Sequence, residues 1–405
     1  TPAGKSGARI KTLIPNKIPR GRQGFLFNTR EGKFADRRVR EAIGLTLDYE
    51  WMNRVLFYGA YARSRSFFGN TEFEAKGLPD ASERALLAPH RTQLPESLFT
   101  TEYRVPTTDG SGIARANLIL AQQLLNDAGW VMRDGMRVNA KTGEKLTVEF
   151  LMHQRTFERV VGIMRANMKK LGVDSSFRYV DASQYQKRVE KKQFDVISIW
   201  WNLGLFYPST EQYLYWHSSQ ADIGGSEDLA GVKNPAIDSL VERIQAAQTL
   251  PDLRNAGQAL DRVLTHEHYV IPHWSLNAWR VAYWDQFGRP EITPAYNLGL
   301  DTWWSKEVAS RQSPVTSKKE VTNVERRESS KEGTTNNQHR ASSTVDATRS
   351  ASPLAGEAMR LNERSEFSRS GEGATQNART VVPPLTQPSP TRGEGFAAAP
   401  SETSP

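Results

Sequence analysis

Apolar positions recur along this chain with two periods, and each period names a kind of element. Val39, Ile43 and Leu47 fall at every fourth position behind an N-cap residue, Asp36, so residues 34–48 read as a helix. A second helical stretch runs from Tyr49 to Phe57 and ends at Gly59. Leu118, Ala121, Leu125 and Ala128 share one face of a helix over 114–128, and Gly129 supplies the stop. Glu158 to Leu171 is a further helix, closed by Gly172. Asp181-Ala-Ser-Gln184 has the form of a capping box that opens a helix to Lys192. Asn234-Pro leads a helix to Gln248, and Pro251 starts one that reaches His266.

Between these lie short apolar runs that predict strands: Phe25 to Thr29, Leu146 to Met152, Ser175 to Val180, Phe194 to Trp200 and Tyr269 to Trp274, with a last strand pair over Arg280 to Trp284. In the second of them Leu146, Val148, Phe150 and Met152 alternate onto one side. From 146 to 200 the order is strand, helix, strand, helix, strand, which predicts α/β layering with at least one parallel pair. Residues 62–112 are rich in Ser, Pro, Gly and charge and read as extended loops, while 130–145 carries Asp-Gly and Thr-Gly turn signals.

Composition divides the chain in two. All ten Trp and all twelve Tyr precede residue 305, and beyond it the only aromatic residues are Phe367 and Phe396. A part of about 300 residues can bury a sizeable core. The stretch 306–405 is rich in Ser, Thr, Pro, Gly, Arg and Glu, and reads as a disordered tail that cannot offset its ordering entropy by apolar burial. Its end, Pro384 to Gly395, has the look of a translated intergenic repeat added by frameshift or read-through. The chain opens on Thr1 with no signal peptide, which suggests a removed start or a fragment. The net charge of +8 is scattered; Arg37-Arg38-Val-Arg40 and Lys169-Lys170 sit on helices as solvated faces. With no zinc knuckle, aromatic RNA-binding motif or basic arm, nucleic-acid binding is a minor alternative. The absence of Cys excludes disulfides and Cys-ligated metals.

The densest chemistry lies where the strand Phe194–Trp200 runs into an aromatic loop bearing Gly and Pro: Trp200, Trp201, Asn202, Tyr207, Glu211, Tyr213, Tyr215 and Trp216. So much aromatic surface is either hidden in a core or offered to a ligand, and apolar walls with a few polar groups are the make-up of small-molecule and peptide sites. Asn28 and Arg30 follow the strand at Phe25, and Arg30 is a candidate partner for a carboxylate against the alternative of a solvated cation. His153 and Arg155 follow the strand ending at Met152, at a strand end where α/β ligands sit. His266 and His268 diverge by roughly 200° on a helix. A helix end with His near the negative dipole is therefore expected there, and no metal site. Motifs for a serine hydrolase, a phosphate-binding loop, a dinucleotide fold or a zinc protease are missing. A secreted hydrolase acting on peptides, assembled from spatially scattered groups, is the other alternative.

Several segments carry a family likeness. Phe34-Ala-Asp-Arg-Arg-Val-Arg-Glu-Ala-Ile-Gly-Leu-Thr-Leu-Asp48 resembles a helix motif of the extracellular solute-binding proteins of family 5, the oligopeptide ABC-importer type. So do the helix from Ala114 to Trp130, the Leu171-Gly-Val173 ending, the strand opening Phe194-Asp-Val196, and Asn234-Pro-Ala-Ile-Asp-Ser-Leu240. Glu211-Gln212, Tyr215-Trp216, His268-Tyr-Val-Ile-Pro272 and Ala282-Tyr-Trp-Asp-Gln-Phe-Gly-Arg-Pro290 resemble the Yej-type peptide-binding subgroup.

The resemblance implies an α/β clamp of the class II periplasmic type that closes on a peptide and delivers it to an inner-membrane ABC permease. It implies a periplasmic monomer without cofactor, catalysis or nucleic-acid partner. It further implies that this chain is the C-terminal portion of such a protein. On that reading 1–24 is a connector or remnant of the first lobe, 25–275 the distal lobe with hinge strands, 276–305 the return segment and 306–405 the tail. Peptide-binding relatives place an Asp shortly after the Trp of the aromatic loop to meet the ligand's ammonium group. Here the stretch is Trp201-Asn-Leu-Gly204, without an Asp, which leaves Glu211 as the acid of that loop.

Overall fold

Seven of the strands and nine of the α-helices among the described residues carry the architecture in the computed structural model, which describes residues 9–201 and 208–306. The strands are β1 (Arg9–Pro15), β2 (Gln23–Phe27), β3 (Thr147–Met152), β4 (Asp174–Tyr179), β5 (Val196–Trp200), β6 (Val270–Pro272) and β7 (Ala278–Trp284). The helices are α1 (Arg37–Gly44), α2 (Tyr49–Leu56), α3 (Ala81–Leu87), α4 (Arg115–Asp127), α5 (Glu158–Lys170), α6 (Ala182–Glu190), α7 (Glu211–Trp216), α8 (Pro235–Ala246) and α9 (Leu250–His266).

Five strands form one sheet in the order β4-β3-β5-β2-β6. β3 pairs parallel with both β4 and β5, whereas β2 pairs antiparallel with β5 and with β6. Four strands therefore run one way and β2 alone runs against them. The parallel pairs are those expected from the alternation of strand and helix between 146 and 200.

Both faces of the sheet are covered, and successive residues of one strand enter different cores. Phe25 and Phe27 join one cluster with Phe150, Val196 and Ile271, packed under α1, α2, α4 and α5. Leu26 joins the other with Leu151, Ile197 and Val270, packed under α8 and α9. This is why the strands read as continuous apolar runs and not as alternations. Gly24 permits the β2–β6 approach: a Cβ there would lie 2.1 Å from Val270 Cγ1 and 2.6 Å from the Ile271 carbonyl oxygen.

Several elements differ from the sequence expectation. The helix over 34–48 divides: a 3₁₀ turn spans Gly32–Phe34, α1 starts at the Asp36 cap, and it ends at Gly44. Asp48 then caps α2 by accepting from Trp51 N, so the stripe residue Leu47 stays buried in a turn between two helices. Residues 62–112 are not all loop. Asp80 and Glu83 form a capping box on α3, and a single turn spans Ser97–Thr100; both were too short to show a period. The strand Arg280–Trp284 lies within β7, and its partner is remote: β7 pairs along its whole length with β1, inside the segment read as connector. The tail expected over 306–405 lies, from residue 307, outside the described residues.

Candidate functional site

The chain leaves β3 and β5, neighbouring parallel strands, toward opposite faces of the sheet. After β3 it turns into α5, under the core of Phe25 and Phe150, and after β5 it runs to α7, whose Trp216 belongs to the core of Leu26 and Ile197. Neighbouring parallel strands whose connections lead to opposite faces mark, at their carboxyl ends, the usual ligand position in α/β sheets. His153 and Arg155 follow β3 there, and Trp200 and Trp201 end β5.

The two indoles at the end of β5 have different fates. Trp200 is 66% exposed, whereas Trp201 is 9% exposed. Trp201 lies 5.0 Å from Trp216 and 5.8 Å from Phe67, and Trp216 meets Phe67 edge-on at 5.4 Å. Its backbone N donates to the Arg22 carbonyl at 2.9 Å, which extends the β2–β5 ladder past the strand end. Trp201 is thus packed into the core at the strand end, and Trp200 stands exposed beside it.

Across from them the His153 ring lies 4.5 Å from Tyr185 on α6, and Tyr185 donates its hydroxyl to the Ser198 carbonyl at 3.3 Å. Burial pushes the Tyr185 phenol up to about 12 and lowers the His153 pKa, so the ledge is uncharged near neutral pH. The Arg155 guanidinium stands 4.4 Å over the Tyr179 ring at the end of β4. Aromatic faces with one neighbouring cation suit a ligand that is partly apolar and partly polar.

The remaining predicted residues sit elsewhere. Asn28 is 1% exposed, and its side-chain amide donates to the carbonyls of Lys192 and Phe194. Arg30 donates to the carbonyls of Ala221, Asp228 and Leu229 and to Asn28 Oδ1. Desolvation lowers its pKa, with Asp228 the main opposing charge. These two residues stitch the end of β2, far from the carboxyl ends of β3 and β5, to the 221–231 loop, and their polar groups are taken by the chain itself. Glu211 opens α7 and accepts from Ser209. Asn202 and Tyr207 lie outside the described residues. His266 Nδ1 lies 2.8 Å from the Arg262 carbonyl within α9, and His268 lies 3.6 Å from Glu41.

Two basic residues at the carboxyl edge were not singled out by sequence, Arg22 just before β2 and Arg63; His273 lies just after β6 at the same edge. Arg63 Nε donates to the Pro272 carbonyl at 2.8 Å, and the His273 ring stacks on Trp274 at 4.7 Å. The signal available for them was weak: basic residues bordering a strand in a chain full of basic residues.

Residues 5–225 match the family described as bacterial extracellular solute-binding proteins, family 5 Middle. Among curated relatives, an uncharacterised protein YejA of Escherichia coli is 40% identical over 311 residues, 76% of this chain and 51% of its own length. A probable peptide-binding protein YejA of Agrobacterium fabrum is also 40% identical, over 75% of this chain and 50% of its length. The chain therefore spans about half the length of the curated relatives it matches. Among solved structures, the oligopeptide-binding protein AppA of Bacillus subtilis, in complex with a nonapeptide, superposes with a TM-score of 0.52 at 18% identity, covering 75% of this chain and 54% of that one. That likeness places the fold among the two-lobed solute-binding clamps. One expectation is overturned: the matched family region occupies the first half of the chain, so the chain is not the family's C-terminal portion alone. By its family match and by relatives at 40% identity, the chain belongs to the bacterial extracellular solute-binding proteins, family 5.

Proposed function

We propose that this chain belongs to the substrate-binding component of a periplasmic ABC importer and that its solute is a peptide or peptide-like molecule. The observation that carries the reading is the carboxyl edge of the sheet, where Trp200, the His153–Tyr185 pair and Arg155 on Tyr179 stand at the ends of neighbouring strands. Exposed aromatic faces take side chains with little selectivity, while strand-end carbonyls and amides give a peptide backbone its partners. Trp200, Trp201, His153 and Arg155 are the ligand-facing residues on this reading, with Glu211 beyond them; Asn28 and Arg30 shape the lobe.

In this proposal residues 25–275 form the distal lobe. The pairing of β1 with β7 supports 1–24 and 276–305 as neighbouring passages leading out of it. Closure of the clamp encloses the solute and presents it to an inner-membrane permease. The component works as a monomer, with no reaction, cofactor or nucleic acid. The relative described as a probable peptide-binding protein supports the peptide assignment.

Calorimetric titration of tri- to pentapeptides into the full chain tests the reading. Saturable binding at one site is expected. A folded chain that gives no heat with any peptide would overturn it.

A further inference from the structure

Just past α7 the chain makes a 3₁₀ turn, Ser218–Gln220, and His217 caps it: its Nδ1 accepts from Ser219 N at 3.1 Å. α8 holds the turn from the other side. Asp238 and Glu242 lie one helical turn apart on α8 and so share a face. Asp238 Oδ1 accepts from Ser218 N at 2.8 Å, and Glu242 Oε1 lies 3.3 Å from His217 Nε2. The Tyr213 ring, from α7, stacks on the imidazole at 4.1 Å.

These contacts fix the protons. A backbone N–H only donates, so Nδ1 carries the lone pair and the imidazole hydrogen sits on Nε2, facing Glu242. Ser219 Oγ lies 2.8 Å from the same Nδ1, nearer than the Ser219 amide. Gln220 Nε2 donates to that Oγ at 3.3 Å, and the Tyr213 hydroxyl lies 3.1 Å from it. With its own hydrogen directed to Nδ1, Ser219 accepts from Tyr213 as well. Serine, imidazole and carboxylate therefore stand in the order of nucleophile, base and orienting group. The His217 side chain is 13% exposed while Ser219 lies on the surface, so an electrophile reaches the hydroxyl without entering a cavity. Glu242 is 63% exposed, and solvent screens its charge; it acts chiefly on the orientation of the ring.

We propose that Ser219 is an activated nucleophile and a site of covalent acylation by activated esters. Ser219 Oγ attacks the ester carbonyl carbon and passes its proton to His217 Nδ1. The Oγ–C bond forms as the bond from that carbon to the leaving oxygen breaks, and the imidazolium returns the proton to the leaving alkoxide. His217 is the base and Glu242 a positioning residue. The backbone amides of the turn are already engaged: Ser219 N with His217 Nδ1, Gln220 N with the His217 carbonyl and Ala221 N with the Ser218 carbonyl. No amide of this turn is left to hold an oxyanion, so release of the acyl group is unassisted and the event is one modification per chain, not turnover. The inference is independent of the solute that the lobe binds.

The test incubates the full chain with p-nitrophenyl acetate, follows nitrophenolate release and locates the acetyl group by peptide mass mapping. One equivalent should be released, with the acetyl group on Ser219, about 100-fold faster than at other exposed serines, the low end for a positioned base. His217→Asn separates the two roles of the ring. Asn also caps a turn of this kind but is no base, so the variant should melt as wild type does and lose the labelling of Ser219. Glu242→Gln keeps the side-chain length and removes the charge; it should slow labelling about fivefold at an unchanged melting temperature. Acetylation of lysines alone, or labelling of Ser219 in His217→Asn as fast as in wild type, would overturn the inference. Should His217→Asn fail to fold, the pH profile of wild type decides. Labelling that falls in acid and levels off above about pH 8, where an imidazole is neutral, supports it; a rate that keeps rising in proportion to hydroxide overturns it.

Discussion

Asn28 donates its side-chain amide to the carbonyl oxygen of Phe194 at 2.9 Å, across 166 residues of sequence. A second bond from the same amide reaches Lys192, so one buried side chain closes the turn that precedes β5 onto the end of β2. Replacing Asn28 by Ala leaves two carbonyls of the interior without their donor. We expect a loss of about 3 kcal/mol of stability, read as a lower urea midpoint with an unchanged slope. A change below about 0.5 kcal/mol, within the usual range for surface sites, would show that water replaces the amide without penalty.

Trp200 should behave in the opposite way. Two-thirds of its surface is open, so Trp200→Ala should shift stability by less than about 0.5 kcal/mol. Peptide affinity should fall about tenfold, as expected when an aromatic anchor is truncated. Unchanged affinity by calorimetry would remove Trp200 from the site. The paired variant Trp201→Ala should lower both quantities, because Trp201 is packed on Trp216 and Phe67 next to the proposed site.

The Arg262–Glu83 pair is buried on both sides, with Arg262 also donating to the Gly77 carbonyl. Glu83→Ala strands a buried guanidinium and should cost about 3–5 kcal/mol. Glu83→Leu combined with Arg262→Met should recover most of that loss, since a well-packed apolar pair avoids desolvating two charges. A double variant as unstable as the single one, measured by thermal melting, would assign the loss to the α3 cap instead.

Asp228 is fully buried, and burial raises its pKa from 3.8 to about 6 against the amides of Gly231 and Val232 and the charge of Arg30. The folded state therefore holds a proton that the unfolded state has released between these two values. Its stabilising contribution is complete below about pH 4 and is lost as pH rises through 6. Relative to Asp228→Asn, wild type should thus lose stability between pH 4 and 6, by at most about 3 kcal/mol, and show no further relative change above pH 7. Denaturation of the two proteins at a series of pH values reads this directly; a relative gain for wild type over the same interval would reverse the sign.

Much of this protein was determined by local order in its sequence. The strand–helix alternation between 146 and 200, the caps at Asp36, Asp181 and Asn234, and the apolar face of α4 all arise from interactions within a few residues, and the structure repeats them. The family likeness was legible for the same reason, because it lies in helix and strand segments of fixed length. Pairings between distant segments were decided only by tertiary structure. Nothing in Arg9–Pro15 names Ala278–Trp284 as its partner, since a strand's register depends on what lies across it and not on its own residues. The same limit governs the site. Asn28 and Arg30 have the polar groups a ligand would need, but the 192–194 and 221–231 segments arrive from far along the chain and occupy them. Trp200 and Trp201 are adjacent and chemically identical, yet the strand end turns one toward solvent and the other onto Trp216.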